Sequence, residues 1–279
     1  SATGVTIECL LHPLDTVSSR AKVLPDTVGF RRLFQTIFQE EGLRGLYAGM
    51  SVTMMVSLPS TFLYFLGYEA VKRAGVDALP PSMFPAVHFV AGAAAEVLSS
   101  LFFVPMDVVR TRLQLGANPS RATGGVVSAT VNYGSVRSAL RAIATKEGVH
   151  GLYAGWNSCL LQDCTFSALQ FVFYEQCKRW YRHTHDKPPT KLDSLLYGGI
   201  AGGAAALLTN PIDTLTTRLQ AQGEGRRFGH GVFGVVRNMM AEGAPAFWRG
   251  ALPRVMHFAP LSAVQFTMYE VSLRVISPH

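Results

Sequence analysis

Hydrophobic positions run along this chain in stretches of about twenty residues or more, yet none is uninterrupted, because Pro, Gly and single charged residues punctuate each one. At 1.5 Å per residue such stretches are long enough to cross a bilayer as helices, and polar groups inside them must then be covered by neighbouring helices. The pattern predicts spans near 1–23, 51–73, 84–115, 156–180, 192–221 and 252–275, with short amphipathic helices near 31–40, 134–146 and 230–241. The segment from Gly116 to Val131 is rich in Gly, Ser, Ala and Thr and reads as a loop. Gly92, Gly198, Gly199, Gly202 and Gly203 let helices approach closely, the usual means of association in lipid.

The spans are not independent of one another. One pattern recurs three times, as His12-Pro13-Leu14-Asp15, Val104-Pro105-Met106-Asp107 and Asn210-Pro211-Ile212-Asp213, and seven residues beyond each proline stands Arg20, Arg112 or Arg218. A second pattern lies at a similar offset, from Glu41-Gly42 to Tyr47-Ala48-Gly49, from Glu147-Gly148 to Tyr153-Ala154-Gly155, and from Glu242-Gly243 to Trp248-Arg249-Gly250. A third closes each repeat, with Tyr68-Glu69 and Lys72, Tyr174-Glu175 and Lys178, then Tyr269-Glu270 with Leu273 in place of the basic residue.

Together these elements resemble the mitochondrial carrier family over nearly the whole chain. The resemblance implies an all-α membrane protein, one carrier domain over 1–279 with repeats at 1–75, 84–182 and 192–276. Six transmembrane helices would form three pseudo-threefold pairs, with short amphipathic helices on the matrix side. Only twelve residues precede Pro13. A helix of that length reaches about 18 Å, so the first helix is expected to lack its beginning.

The resemblance further implies a central cavity closed alternately on its two sides by charge pairs. On the matrix side Asp15, Asp107 and Asp213 would each meet a base five residues past a proline, but those positions hold Ser18, Arg110 and Thr216. Arg110 would face Asp15. Asp107 and Asp213 must be hydrated, protonated or paired differently, since a buried carboxylate without a counter-charge is costly. Lys22, Gln114 and Gln220, nine residues after the prolines, are the expected braces, and Lys22 can stand in for a missing base. On the opposite side Lys72 would meet Glu175 and Lys178 would meet Glu270, while Glu69 would face Leu273 or the adjacent Arg274.

Counting from the same landmarks puts Glu8, Val56, Gln162, Asp163 and either His257 or Phe258 at the heights where carriers of this kind contact substrate, with Glu96 higher in the third span. This set is acidic and holds no arginine or lysine, whereas carriers of nucleotides, phosphate or carboxylates resemble one another in presenting basic residues there. A small cationic or zwitterionic substrate is therefore expected, since ionisable residues within a membrane mark a transport path. The segment Leu160–Phe171 resembles the fourth helix of S-adenosylmethionine carriers and their relatives, with Gln162 where that group often has arginine. His257 is a lone imidazole, more often structural than a ligand, and no metal site is assigned. Gly42, Gly148 and Gly243 open short helices whose amide ends attract phosphate, and the resemblance implies cardiolipin there, with plain capping as the alternative.

Composition narrows the remaining classes. Charged residues make up 15% of the chain, below the quarter or so typical of soluble domains, and the net charge is +7. Arg31, Arg32, Arg121, Arg137, Arg141, Arg226 and Arg227 lie in connecting segments without a nucleic-acid motif, as positive loops beside anionic lipid do. Cys9, Cys159, Cys164 and Cys177 show no pairing pattern and read as small buried residues. No nucleophile–base constellation or phosphate loop points to an enzyme or a cofactor. The leading expectation is a multi-pass solute carrier of the mitochondrial inner membrane. The second is a carrier fold kept as a structural subunit of a larger inner-membrane complex, favoured by the missing gate bases and by Leu273.

Overall fold

The computed structural model describes residues 2–24, 29–78, 80, 83–116, 135–184, 190–222, 228–229 and 231–276. The expected loop beyond Gly116 lies outside the described residues, as do Arg121, Arg226 and Arg227.

The long elements are α1 (Ala2–Val23), α3 (Met50–Ala78), α4 (Phe84–Gly116), α7 (Trp156–Thr184), the pair α8 (Lys191–Leu208) and α9 (Asn210–Ala221), and α11 (Ala251–Ile276). Between them lie α2 (Phe30–Leu46), α5 (Val136–Lys146), α6 (Gly148–Leu152) and α10 (Gly231–Glu242). Each long element packs on the next, and α11 returns to α1, so the helices close into a ring. Small residues set the closest seams. A Cβ added at Gly198 on α8 would fall 2.9 Å from the Ser262 carbonyl on α11, and one at Gly67 on α3 would fall 3.2 Å from Ala95 Cα on α4.

Among the described residues, conventional apolar spans are found within Phe30–Val76 and Val90–Leu115, with a third if the bent pair Leu192–Leu208 and Asn210–Ala221 is one span. The other long helices carry polar positions that only the ring can cover. Pro13 and Pro105 sit inside continuous helices, whereas the chain breaks at Thr209 and restarts at α9 with a 60° bend. Pro211 falls in the first turn of α9, where its missing N–H has no helical acceptor to lose.

A short amphipathic helix docks on each proline-bearing helix through residues one turn apart. Leu33 and Ile37 pack with Val17 and Leu24, Ala139 and Ile143 with Val108 and Val109, and Val235 and Met239 with Val23 and Leu219. The residue before each proline serves the same joint by different chemistry. The His12 ring lies 3.0 Å from the Ala48 carbonyl and Asn210 donates to the Phe247 carbonyl at 2.8 Å, while Val104 is buried in the apolar cluster.

Where the chain turns into α11, Gly250 has φ +72° and seats against α1: an added Cβ would lie 2.8 Å from the Ser18 carbonyl. Ser18 Oγ donates to the Gly250 carbonyl at 3.1 Å, which holds the two backbones together. A Gly250→Ala variant combines a disfavoured left-handed alanine with a backbone clash, and is expected to lose about 1–3 kcal/mol. Thermal unfolding of the detergent-purified protein checks this, and an unchanged midpoint would contradict it.

Candidate functional site

At the end of the ring where the prolines lie, the charged residues form two layers. In the outer layer, Arg20, Arg112 and Arg218 each make a forked ion pair with the glutamate of their own repeat: Glu41 at 2.7 Å, Glu147, and Glu242 at 2.8 and 2.9 Å. Each arginine also reaches the neighbouring repeat. Arg20 Nε donates to the Gln114 carbonyl at 2.8 Å, Arg112 Nε to the Gln220 carbonyl at 3.0 Å, and Arg218 Nε to the Lys22 carbonyl at 3.0 Å, which closes the cycle. Burial opposes the charge on Glu242, but Arg218 and Arg249 outweigh it and hold its carboxyl below the ordinary glutamate value. The recurrence of these arginines and glutamates was visible in the sequence, but their joint role needed the fold, because the bonds that link repeats end on backbone carbonyls.

The inner layer holds the expected gate residues. Arg110 on α4 pairs with Asp15 on α1, and Gln114 donates to the same carboxylate at 2.7 Å. Asp107 shares Arg110 at 3.6 Å and accepts from Gln220 at 2.8 Å. Asp213 on α9 meets two cations, Lys22 on α1 and Arg254 on α11. Asp213 is thus paired differently from the family pattern: Lys22 supplies the charge missing at Ser18. Asp107, whose expected base is replaced by Thr216, is held by a neutral amide and a shared guanidinium.

The opposite mouth corrects one expectation. Lys72 does not reach Glu175; it pairs with Glu69 one turn back at 3.1 Å, and Arg73 lies 3.5 Å from Glu69. Glu175 turns to Lys178 on its own helix at 3.7 Å. These half-exposed side chains find their counter-charges one turn along their own helices. Lys178 does cross to Glu270 on α11 at 2.7 Å, with Tyr174 donating to the same carboxylate at 3.1 Å. The side chains of Leu273 and Arg274 lie outside the described residues.

Between the two ends lies a cavity of about 240 Å³, lined by Glu8, Gln162, Asp163, His257 and Phe258 and floored by the inner layer. Its wall carries five carboxyl side chains (Glu8, Asp15, Asp107, Asp163, Asp213) and three basic ones (Lys22, Arg110, Arg254), a formal excess of two acidic groups. The absence of arginine and lysine inferred from sequence is therefore corrected: Arg254 belongs to the wall. Its signal in the sequence was weak because the matching positions of the other repeats, four residues after Gly49 and Gly155, hold Thr53 and Cys159.

Val56 is also corrected. It is buried in the apolar cluster with Val104 and Val108, facing α4 and not the cavity, because a valine there gains more from the cluster than from a polar wall. Glu96 is half-buried about three turns along α4 from Asp107 and does not line the cavity. Of the cysteines only Cys159 is buried, and Cys164 is exposed.

Within the cavity, Asp163 meets no lysine or arginine among the described residues; its contact is Cys159 Sγ at 3.6 Å. The Gln162 Oε1 atom is buried without a hydrogen-bond partner among the described residues. Glu8 lies 3.9 Å from His257 Nε2. The other ring nitrogen, Nδ1, is 3.2 Å from the Leu11 carbonyl. Gly42, Gly148 and Gly243 all have positive φ, and each opens only about a single turn: residues 43–46 beyond the kink that Gly42 makes in α2, the five residues of α6, and the five of the 3-10 turn Ala244–Trp248.

A closed ring of helices around a charged well, with ion pairs across one end, is the architecture of a membrane solute carrier. A sequence profile described as mitochondrial carrier protein matches residues 1–78, 81–185 and 187–279, and the chain belongs to this family. It is a transporter and not an enzyme, with a multi-pass place in the mitochondrial inner membrane. The chain is 33% identical to the probable S-adenosylmethionine carrier 2, chloroplastic, of Arabidopsis thaliana, over 98% of its own length and 72% of the relative's. It is 30% identical to the mitochondrial S-adenosylmethionine carrier protein of Xenopus tropicalis, over 90% and 85%. It is 31% identical to the mitochondrial substrate carrier family protein E of Dictyostelium discoideum, over 97% and 92%.

Proposed function

We propose that the chain carries a small sulfonium or amino metabolite of the S-adenosylmethionine class, by alternating access between the two ends of its central well. The observation that carries this reading is the convergence of Glu8, Asp163 and the unpartnered Gln162 Oε1 in a cavity with a formal excess of acidic groups. All are acceptors, and neither Glu8 nor Asp163 forms a direct ion pair with a lysine or arginine among the described residues. A buried carboxylate in that state is costly until a cation arrives, and that cost becomes affinity when one does. Relatives named as S-adenosylmethionine carriers support the same chemistry.

In this reading the inner layer of Asp15, Arg110, Asp107, Lys22 and Asp213, braced by Gln114 and Gln220, is the matrix-side gate. At the opposite side Lys178 and Glu270 pair between helices, while Glu69, Lys72 and Glu175, paired here along their own helices, would have to leave those partners to close a gate. The missing bases at Ser18 and Thr216 favoured a structural-subunit role, but Lys22 and Arg254 on Asp213 answer the first of these losses, and the carrier role is preferred.

Reconstituted in liposomes, the purified protein is expected to take up labelled S-adenosylmethionine saturably. S-Adenosylhomocysteine, which keeps the ammonium and carboxylate but lacks the sulfonium charge, should compete less well than S-adenosylmethionine itself. Failure to accumulate this or any other cationic metabolite, together with co-purification in a larger complex, would turn the assignment to the structural role.

A further inference from the structure

Resting on the substrate class just proposed, we infer that Arg254 binds the carboxylate of the transported metabolite, at a subsite opposite in charge to Asp163. Arg254 is 2% exposed and lines the cavity. Its Nη2 donates to Thr209 Oγ1 at 3.0 Å, and another edge meets Asp213. Asp213 is already paired with Lys22, so this one carboxylate is shared by two cations.

The Nε atom of Arg254 is also buried, with no acceptor among the described residues. A buried donor left unmet costs free energy, and a guanidinium is shaped to present parallel donors to a carboxylate. The side chain is held for this by two rings: its guanidinium carbon lies 5.2 Å from the Phe258 centroid and 6.0 Å from that of Phe166, which are themselves 4.8 Å apart. The hydrogen bond, the ion pair and the two rings together hold the Arg254 side chain in the cavity wall.

The cavity therefore offers both halves of an amino-acid sulfonium. Acceptors at Glu8, Gln162 and Asp163 suit the cationic part, and Arg254 suits the anionic one. Were Arg254 only a counter-ion for Asp213, its loss would weaken transport of every substrate alike.

Uptake of S-adenosylmethionine and of its decarboxylated analogue into proteoliposomes separates these cases. Wild-type protein is expected to prefer the carboxylated substrate. In Arg254→Gln its KM should rise about tenfold or more relative to that of the analogue, over and above any loss common to both from the weakened Asp213 pairing. Arg254→Lys, which keeps charge but not the fork, should fall between, and guards against misfolding of the glutamine variant. A wild type that takes both substrates equally, or an Arg254→Gln variant that loses both in the same proportion, overturns the carboxylate subsite and leaves the carrier assignment standing. Wild-type protein that carries neither overturns both.

Discussion

Asp163→Asn is expected to lower the transport efficiency for a cationic substrate by about 10- to 100-fold, the worth of one charge-assisted contact in a buried site, without a fall in thermal stability. The two halves of this expectation come from the same contacts. Asparagine is nearly isosteric with aspartate and keeps an oxygen for the Cys159 thiol at 3.6 Å. No lysine or arginine among the described residues is ion-paired with Asp163, so the exchange breaks no direct ion pair. The loss is confined to the negative charge beside Gln162. Initial uptake rates over a substrate series, with the unfolding midpoint measured on the same preparation, check both halves. A variant that transports like wild type would remove Asp163 from the binding site, and one that melts early would make it a structural residue.

The largest effect on stability is expected at Arg218. Its side chain is fully buried, forks onto Glu242, reaches across to the Lys22 carbonyl, and lies over the Phe228 ring at 5.2 Å. Arg218→Ala removes all of these at once and leaves a carboxylate and a carbonyl short of a donor, a loss of about 3–5 kcal/mol. Arg249 still meets Glu242 at 2.5 Å, which relieves the carboxylate but restores no link between repeats. The expected result is a sharp drop in the unfolding midpoint, and an unchanged one would show that the outer layer is not structural. The depressed pKa of Glu242 fixes the pH sense. Its contribution is complete above the ordinary glutamate value and is lost as pH falls through the lowered one, so acidification and not alkali should weaken this joint.

Much of this architecture was legible because it is written three times. The spacing from Pro13, Pro105 and Pro211 placed Asp15 opposite Arg110 and put Lys22, Gln114 and Gln220 at one level, since residues at equal offsets on equivalent helices share a height. The same logic picked out Glu8, Gln162 and Asp163, which line the cavity. It failed where the repeats differ. Arg254 has no charged counterpart in the other two repeats, so a search for recurrence passed over it. Val56 stands at the offset of Gln162 and His257, but its side chain is apolar and is drawn into the cluster of α4. Lys72 and Glu175 each find a nearer counter-charge one turn along their own helices, a choice that no spacing between repeats encodes.

Lys22, Gln114 and Gln220 each take part in both layers, offering a side chain to an aspartate of the inner one and a backbone carbonyl to an arginine of the outer one. A rotation of any proline-bearing helix that frees its aspartate clasp also drags the carbonyl away from the arginine behind it. Because the arginines run head to tail around the ring, that strain passes to the next repeat and the next. The proline end is therefore expected to unfasten as a unit, with half-open intermediates too poorly bonded to accumulate.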